Sequence, residues 1–257
     1  MRPTRLSRPT PGPTPRPTWR AAAGVVAALL LAPAPAPAQL QPADPAFWSA
    51  AALALAGTAA ADPWLRRGLR GPGAPAAQTL ARTVQPLGLA RTAYVGLGAS
   101  FVVAELAREP AWARVTLRVA AGFVAADAVT SILKPVVGRA RPFAERGAYH
   151  VRAFATTDRD HAFPSGHATH AFALAAGVAD EAHRPWITAA AYGTAALVGW
   201  SRVHDDAHWT SDVVAGAVVG TAASLTTRRW LARLTHRGGV PARLTAGPHG
   251  AAVLLTF

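Results

Sequence analysis

Ser201-Arg202-Val203-His204-Asp205-Asp206-Ala207-His208-Trp209-Thr210-Ser211-Asp212 lies between two apolar segments, Ile187 to Trp200 and Val213 to Leu225. These flanks predict that one packed helix ends just before the stretch and another begins inside it, with Thr210 or Ser211 as N-cap. Polar chemistry is thereby fixed at a helix junction. A second helix starting near His208 puts His208 and Asp212 one turn apart on the same face. A carboxylate there can hold one imidazole nitrogen and leave the other free to react, which is how a histidine nucleophile is oriented.

Two earlier stretches fit around this one. Lys134-Pro135-Val136-Val137-Gly138-Arg139-Ala140-Arg141-Pro142 closes an apolar helix with Lys134 and Arg141 seven positions apart, close enough to converge on one anion. Pro164-Ser165-Gly166-His167 precedes another apolar segment. The Ser165 hydroxyl and the amides around Gly166 therefore fall at a helix N-terminus, where unpaired N–H groups and the helix dipole favour a phosphate. With Arg202, the set comprises three cations, an anion-binding turn and two histidines, a composition suited to phosphate.

In order and spacing, Lys134-x6-Arg141-Pro142, Pro164-Ser165-Gly166-His167 and Ser201-Arg202-x5-His208-x3-Asp212 resemble the three-part signature of the type 2 phosphatidic acid phosphatase (PAP2) superfamily. Lipid phosphatases, bacterial acid phosphatases and vanadium haloperoxidases share it. The resemblance covers Asp127 to Gly220, about a third of the chain, with no departure at a signature position. It implies a two-step displacement at phosphorus. His208 attacks and becomes a phosphohistidine, Asp212 holds its tautomer, and His167 protonates the leaving oxygen and then activates water. Lys134, Arg141 and Arg202, with Ser165 and the Gly166 amide, neutralise the equatorial oxygens. His204 and His208, with His167 and His170, have spacing that zinc also accepts. Three cations at the same place would repel a dication, so neither a metal nor another cofactor is expected.

The chain has 257 residues, enough for one sizeable domain. Hydrophobic residues make up 51%, many of them Ala, and mean hydropathy is +0.19, low for a chain made mostly of membrane spans. A net charge of +13 suits anionic lipid surfaces and phosphorylated substrates. No basic stripe is interleaved with aromatics, so a nucleic-acid partner is not expected. The absence of Cys excludes disulfides, thiolate metal sites and cysteine nucleophiles.

Along the chain, residues 1–38 read as an export signal: arginines among Pro and Thr, an apolar run from Ala21 to Leu31, and Ala36-Pro37-Ala38 as the cleavage region. Residues 39–86 read as a short Phe47–Ala61 helix, packed or interfacial, followed by an Arg/Gly/Pro-rich loop from Asp62 to Pro86. Residues 87–237 form the phosphatase-like domain, an all-α bundle embedded in a membrane. Together with the N-terminal helix it makes about five to six helices: Leu87–Leu106, Val115–Val137, Ala168–Ala179, Ile187–Trp200 and Val213–Leu225. Asp127 either orients Lys134, seven positions on, or bonds a neighbouring helix; the residues leave both open. Phe143 to Phe163 is a polar loop over the site, and His161 belongs to that loop rather than to the chemistry. In residues 238–257, Gly-Pro-His-Gly at 247–250 carries a weak hairpin signal.

The expected activity is metal-independent hydrolysis of a phosphomonoester or pyrophosphate, most plausibly of a lipid. A soluble exported acid phosphatase and a vanadate-dependent haloperoxidase are the alternatives. Motif sidedness and the Arg228–Arg237 cluster favour an inner-membrane protein with its site in the exported compartment, provided Phe47–Ala61 does not cross; the soluble alternative is periplasmic.

Overall fold

The computed structural model describes residues 41–70, 75–236, 242–247 and 250–255. Its elements are α1 (Pro45–Leu69), α2 (Pro75–Val84), a 3-10 turn (Gln85–Gly88), α3 (Ala90–Leu106), α4 (Pro110–Val137), α5 (Gly166–Ala182), α6 (Pro185–His204) and α7 (Thr210–His236). The expected export signal lies outside the described residues. Beyond α7, β1 (Ala242–Gly247) and β2 (Gly250–Leu255) pair antiparallel with Gly247 opposite Gly250, at the place of the Gly-Pro-His-Gly signal.

The body is all-α, with α5 at its centre between α4, α6 and α7. Its core is built from small side chains: Ala93, Ala126 and Ala173 around Phe123, and Ala171, Ala175 and Ala195 with Val84 and Val198. Small residues let backbones approach closely. At Gly220 a Cβ would stand 2.3 Å from the Thr169 carbonyl oxygen, and at Gly216 it would stand 2.6 Å from that of Ser165. These two glycines, one turn apart, let α7 lie directly against the start of α5. At the opposite end, Arg228 of α7 bonds Glu181 and Asp180, and Arg118 of α4 shares Glu181.

Three expectations change. The N-terminal helix is not a 15-residue segment ending at Ala61 but a 25-residue helix that continues through Asp62 and Pro63 to Leu69. Asp62, which reads locally as a stop, is fully buried with partners supplied from far along the chain. The stretch expected as loop to Pro86 likewise contains α2, whose Ala81 and Val84 pack inward. Finally, α7 runs past Leu225 to His236. By length and composition, among the described residues, one helix, α4, qualifies as a membrane span, or two if the α2–α3 pair, bent by 60°, counts as one.

Candidate active site

The three motifs meet at one end of the bundle. α4 closes at Gly138, whose backbone is left-handed (φ 63°) and whose N–H caps the Lys134 carbonyl. A Cβ there would lie 1.7 Å from the Arg152 carbonyl oxygen, so only glycine lets the 143–163 loop fold back so closely. Arg152 N–H donates to Gly138 O at 2.8 Å, and Ala162 N–H to Arg139 O at 3.0 Å. The loop thus lies across the end of α4, and His161 bonds Ala155 O within it.

The second motif starts α5, with Ser165 as its buried N-cap residue and a Ser165 N–H donated to Asp212 O at 2.9 Å. The third closes α6: the Arg202 carbonyl accepts from both Ala207 N–H and His208 N–H. These bonds join the starts of α5 and α7 with the end of α6. Lys134 Nζ donates to His161 O at 3.0 Å and lies 3.9 Å from where a Gly166 Cβ would be. Arg141 donates from Nε and Nη2 to Asp158 at the rim. Arg202 Nη1 stands 3.5 Å from Asp205, outside hydrogen-bond geometry.

Burial of polar atoms without partners marks the centre. Ser165 Oγ, His167 Nε2 and Arg202 Nε and Nη1 are all buried and unbonded. Such groups are costly to leave unsatisfied, and phosphate oxygens supply the acceptors that the guanidinium and hydroxyl require.

His208 is buried, and its Nδ1 lies 2.7 Å from Ala162 O. A carbonyl only accepts, so Nδ1 carries the proton and Nε2 carries the lone pair. Burial first, then the positive charges of Lys134, Arg141 and Arg202, holds this imidazole well below its ordinary range. The ring is neutral, with Nε2 available for attack.

The expected Asp212–His208 hydrogen bond is not formed: Asp212 Oδ2 is 3.8 Å from Nδ1. That oxygen accepts from Trp209 N–H at 2.8 Å, while Oδ1 accepts from Arg139 at 2.6 Å. Asp212 thus caps α7 from its third position, a task the sequence reading gave to Thr210 or Ser211. Thr210 Oγ1 is buried without a partner. Asp127 does not orient Lys134. It accepts from Tyr94 OH at 2.7 Å and pairs with His170 Nε2 at 2.8 Å, which is the neighbouring-helix alternative. Among the described residues no three His, Asp or Glu side chains gather as metal ligands. His170 also bonds Gly88 O, and His204 faces Asp205.

Sequence reading missed Arg139 and Asp62. Arg139 is buried, sits between two expected phosphate ligands, and turns instead to Asp62, Ser211 and Asp212. The guanidiniums of Arg66 and Arg139 both lie over the Trp209 ring, at 5.4 and 5.7 Å from its centroid.

Comparison with known proteins bears on the same region. The PAP2 superfamily model matches residues 115–236. A 60-residue stretch is 43% identical to the lipid A 1-phosphatase of Porphyromonas gingivalis, covering 23% of this chain and 14% of that protein, so the chain matches only a small part of that relative's length. The solved structure of Aquifex aeolicus LpxE is similar in fold, with a TM-score of 0.54, 18% identity, and coverage of 65% of this chain and 94% of that one. A transmembrane PAP2 type phosphatidylglycerolphosphate phosphatase from Bacillus subtilis aligns with a TM-score of 0.46 and 19% identity, over 86% and 98% of the two chains. The three motifs of this chain converge at one end of the bundle and lie within residues 115–236, the stretch, just under half of the chain, that the PAP2 superfamily model matches.

Proposed function

We propose that the protein is a membrane phosphatase that removes phosphate from a phosphorylated lipid, through a phosphohistidine on His208 and without a metal. The observation that carries this is the set of buried, unbonded Ser165, His167 and Arg202 atoms beside a neutral His208. His208 Nε2 forms a bond to phosphorus while the bond to the leaving oxygen breaks. His167, which burial and Arg202 hold down to about 3, takes up a proton as the phosphate dianion binds and gives it to that oxygen. Water then attacks phosphorus, the P–N bond breaks, and His167 takes the water's proton. Lys134, Arg141, Arg202, Ser165 and the Gly166 amide carry the charge on the non-bridging oxygens. Asp212 faces the imidazolium formed in the intermediate.

A lipid substrate is supported by the surface. Val95, Val102, Val103 and Leu106 of α3, with Val124, Val129, Ile132 and Val136 of α4, are exposed large apolar side chains. An apolar face of that extent fits acyl chains better than water. The Porphyromonas gingivalis relative is by its description a lipid A 1-phosphatase, and we extend the class, a phosphorylated lipid, to this chain. We further place the site on the outer face of the inner membrane, with Arg228, Arg229 and Arg233 at the cytoplasmic end. The earlier support from a short N-terminal helix is gone, since α1 has 25 residues.

The test is phosphate release by purified protein, in excess chelator, from phosphatidate, phosphatidylglycerophosphate, an isoprenyl pyrophosphate and water-soluble monoesters. Turnover of at least one lipid, blocked by vanadate and abolished in His208→Ala, is the expected result. Loss in chelator with recovery on adding zinc refutes the metal-free mechanism. Full activity on monoesters by protein released without detergent favours the soluble acid phosphatase.

A further inference from the structure

Helix α1 lies outside the matched residues 115–236, yet it delivers a fully buried carboxylate to the junction that carries His208. Asp62 Oδ1 accepts the Ser211 N–H at 3.0 Å, in the first turn of α7. Asp62 Oδ2 accepts the Ser211 hydroxyl and, at 2.8 Å, Nη2 of Arg139. Nη1 of Arg139 goes at 2.6 Å to Ser211 Oγ and at 2.6 Å to Asp212 Oδ1. Two buried carboxylates therefore share one guanidinium, and the Ser211 hydroxyl bridges that guanidinium to Asp62.

We propose that Asp62 is a positioning residue of the phosphatase: by occupying Nη2 of Arg139 and the Ser211 amide, it sets the orientation in which Asp212 faces His208. The proposal rests on the phosphatase reading above. An arginine fork binds a carboxylate best through two parallel hydrogen bonds. Here Asp62 and Ala148 O take Nη2, so Asp212 receives Nη1 alone. Its Oδ2 stays with Trp209 N–H, 3.8 Å from the His208 ring. Without the charge at 62, Nη2 is released to Asp212. The carboxylate then rotates toward a bidentate pair, Oδ2 leaves Trp209 N–H, and the imidazolium formed on phosphorylation loses its facing charge. Asp62 touches none of the phosphate ligands, so ground-state binding is unaffected.

The test uses the full chain in detergent, with Asp62→Asn, which keeps size and an acceptor but removes the charge. Sites are counted by vanadate binding, and turnover is measured with para-nitrophenyl phosphate, whose good leaving group makes little demand on His167. Expected is a kcat per vanadate site lower by roughly 10- to 100-fold, the scale of an ångström-level misplacement, with KM and vanadate affinity within about twofold of wild type. Arg67→Ala, an exposed change on the same helix, should leave kcat per site unaltered. A kcat per site within about twofold of wild type in Asp62→Asn, with any loss confined to the number of sites or to thermal stability, overturns the proposal. If Asp62→Asn retains no vanadate-binding population, Asp62→Ser, which also removes the charge at 62, is judged by the same thresholds, and loss of all vanadate sites in both variants overturns the proposal in favour of a purely structural role. Failure of the wild type itself to release phosphate is a separate result, which overturns the phosphatase reading and this proposal with it.

Discussion

Gly88→Ala should impair catalysis far more than folding. Gly88 ends the 3-10 turn before α3, and its carbonyl accepts from His170 Nδ1 at 2.9 Å. A Cβ placed on it would lie 2.7 Å from Val198 Cγ1, 2.8 Å from His167 Cβ and 3.0 Å from His167 Cδ2. The Val198 methyl can turn with its rotamer, but His167 Cβ is fixed to the α5 backbone. Carbon atoms settle at about 3.5 to 4.0 Å, so His167 or the turn must move by roughly 0.7 to 1.2 Å. Overpacking of this kind costs about 1 to 3 kcal/mol, which a bundle of this size can absorb. A displacement of about 1 Å at an acid–base group costs on the order of 100-fold in rate. The loss should be larger for an alkyl phosphate than for para-nitrophenyl phosphate, because only the former needs the proton from His167. Gly96→Ala is the control, since nothing lies within 4 Å of a Cβ there. Turnover, KM and the thermal midpoint of both variants decide the matter. Wild-type kcat on the alkyl substrate in a folded Gly88→Ala protein would refute the coupling of the turn to His167.

Two further outcomes follow from the site and the helix ends. Burial and the nearby cations hold His208 well below its ordinary value of 6.5, so the unfolded chain takes up a proton that the folded protein refuses. Stability then rises with pH up to about 6.5 and is lost as pH falls below it, by at most about 1.4 kcal/mol per pH unit. His208→Asn should reduce the acid-side slope of the thermal midpoint, leaving the part contributed by His167, which burial and Arg202 hold down to about 3, and run parallel to wild type above it. An unchanged acid slope would show that His208 protonates freely in the fold. For sidedness, a reporter fused after Phe154 should read outside and one fused after Arg237 inside, and an exported signal after Arg237 would reverse the topology.

What the sequence made legible was local in character. The three motifs, the helices from Val115 onward and the loop between motifs all follow from apolar runs and from the punctuation of Gly138, Pro142 and Pro164. What it hid depends on partners far away. Asp62-Pro63 looks like a helix stop because an unpaired carboxylate before proline is read by its neighbours, whereas its stabilising partners are Arg139 and Ser211. Asp127 and Lys134 share a helical face, yet Asp127 finds Tyr94 and His170 on two other helices. Arg139 and Arg141 are indistinguishable by type and nearly by position. One turns to the buried carboxylates and the other to the rim, and only the packed loop decides which. The His208–Asp212 spacing is right for a hydrogen bond, but the main-chain carbonyl of Ala162, in the loop before the second motif, reaches the ring first.

The bond between Asp62 and the Ser211 amide joins residues 149 positions apart. During synthesis α1 is complete long before the start of α7 exists, so Asp62 waits without the partners that make its burial tolerable. Closing so long a loop comes late in assembly, after local helix pairs have formed. Loop-closure entropy therefore favours an order in which the central helices assemble first and α1 docks last. Until α1 docks, Arg139 has no carboxylate but Asp212, and on the proposed function the phosphate cradle would exist without a correctly aimed nucleophile. If Asp62 positions Asp212 as proposed, completion of this bond across 149 positions and onset of catalytic competence are the same event.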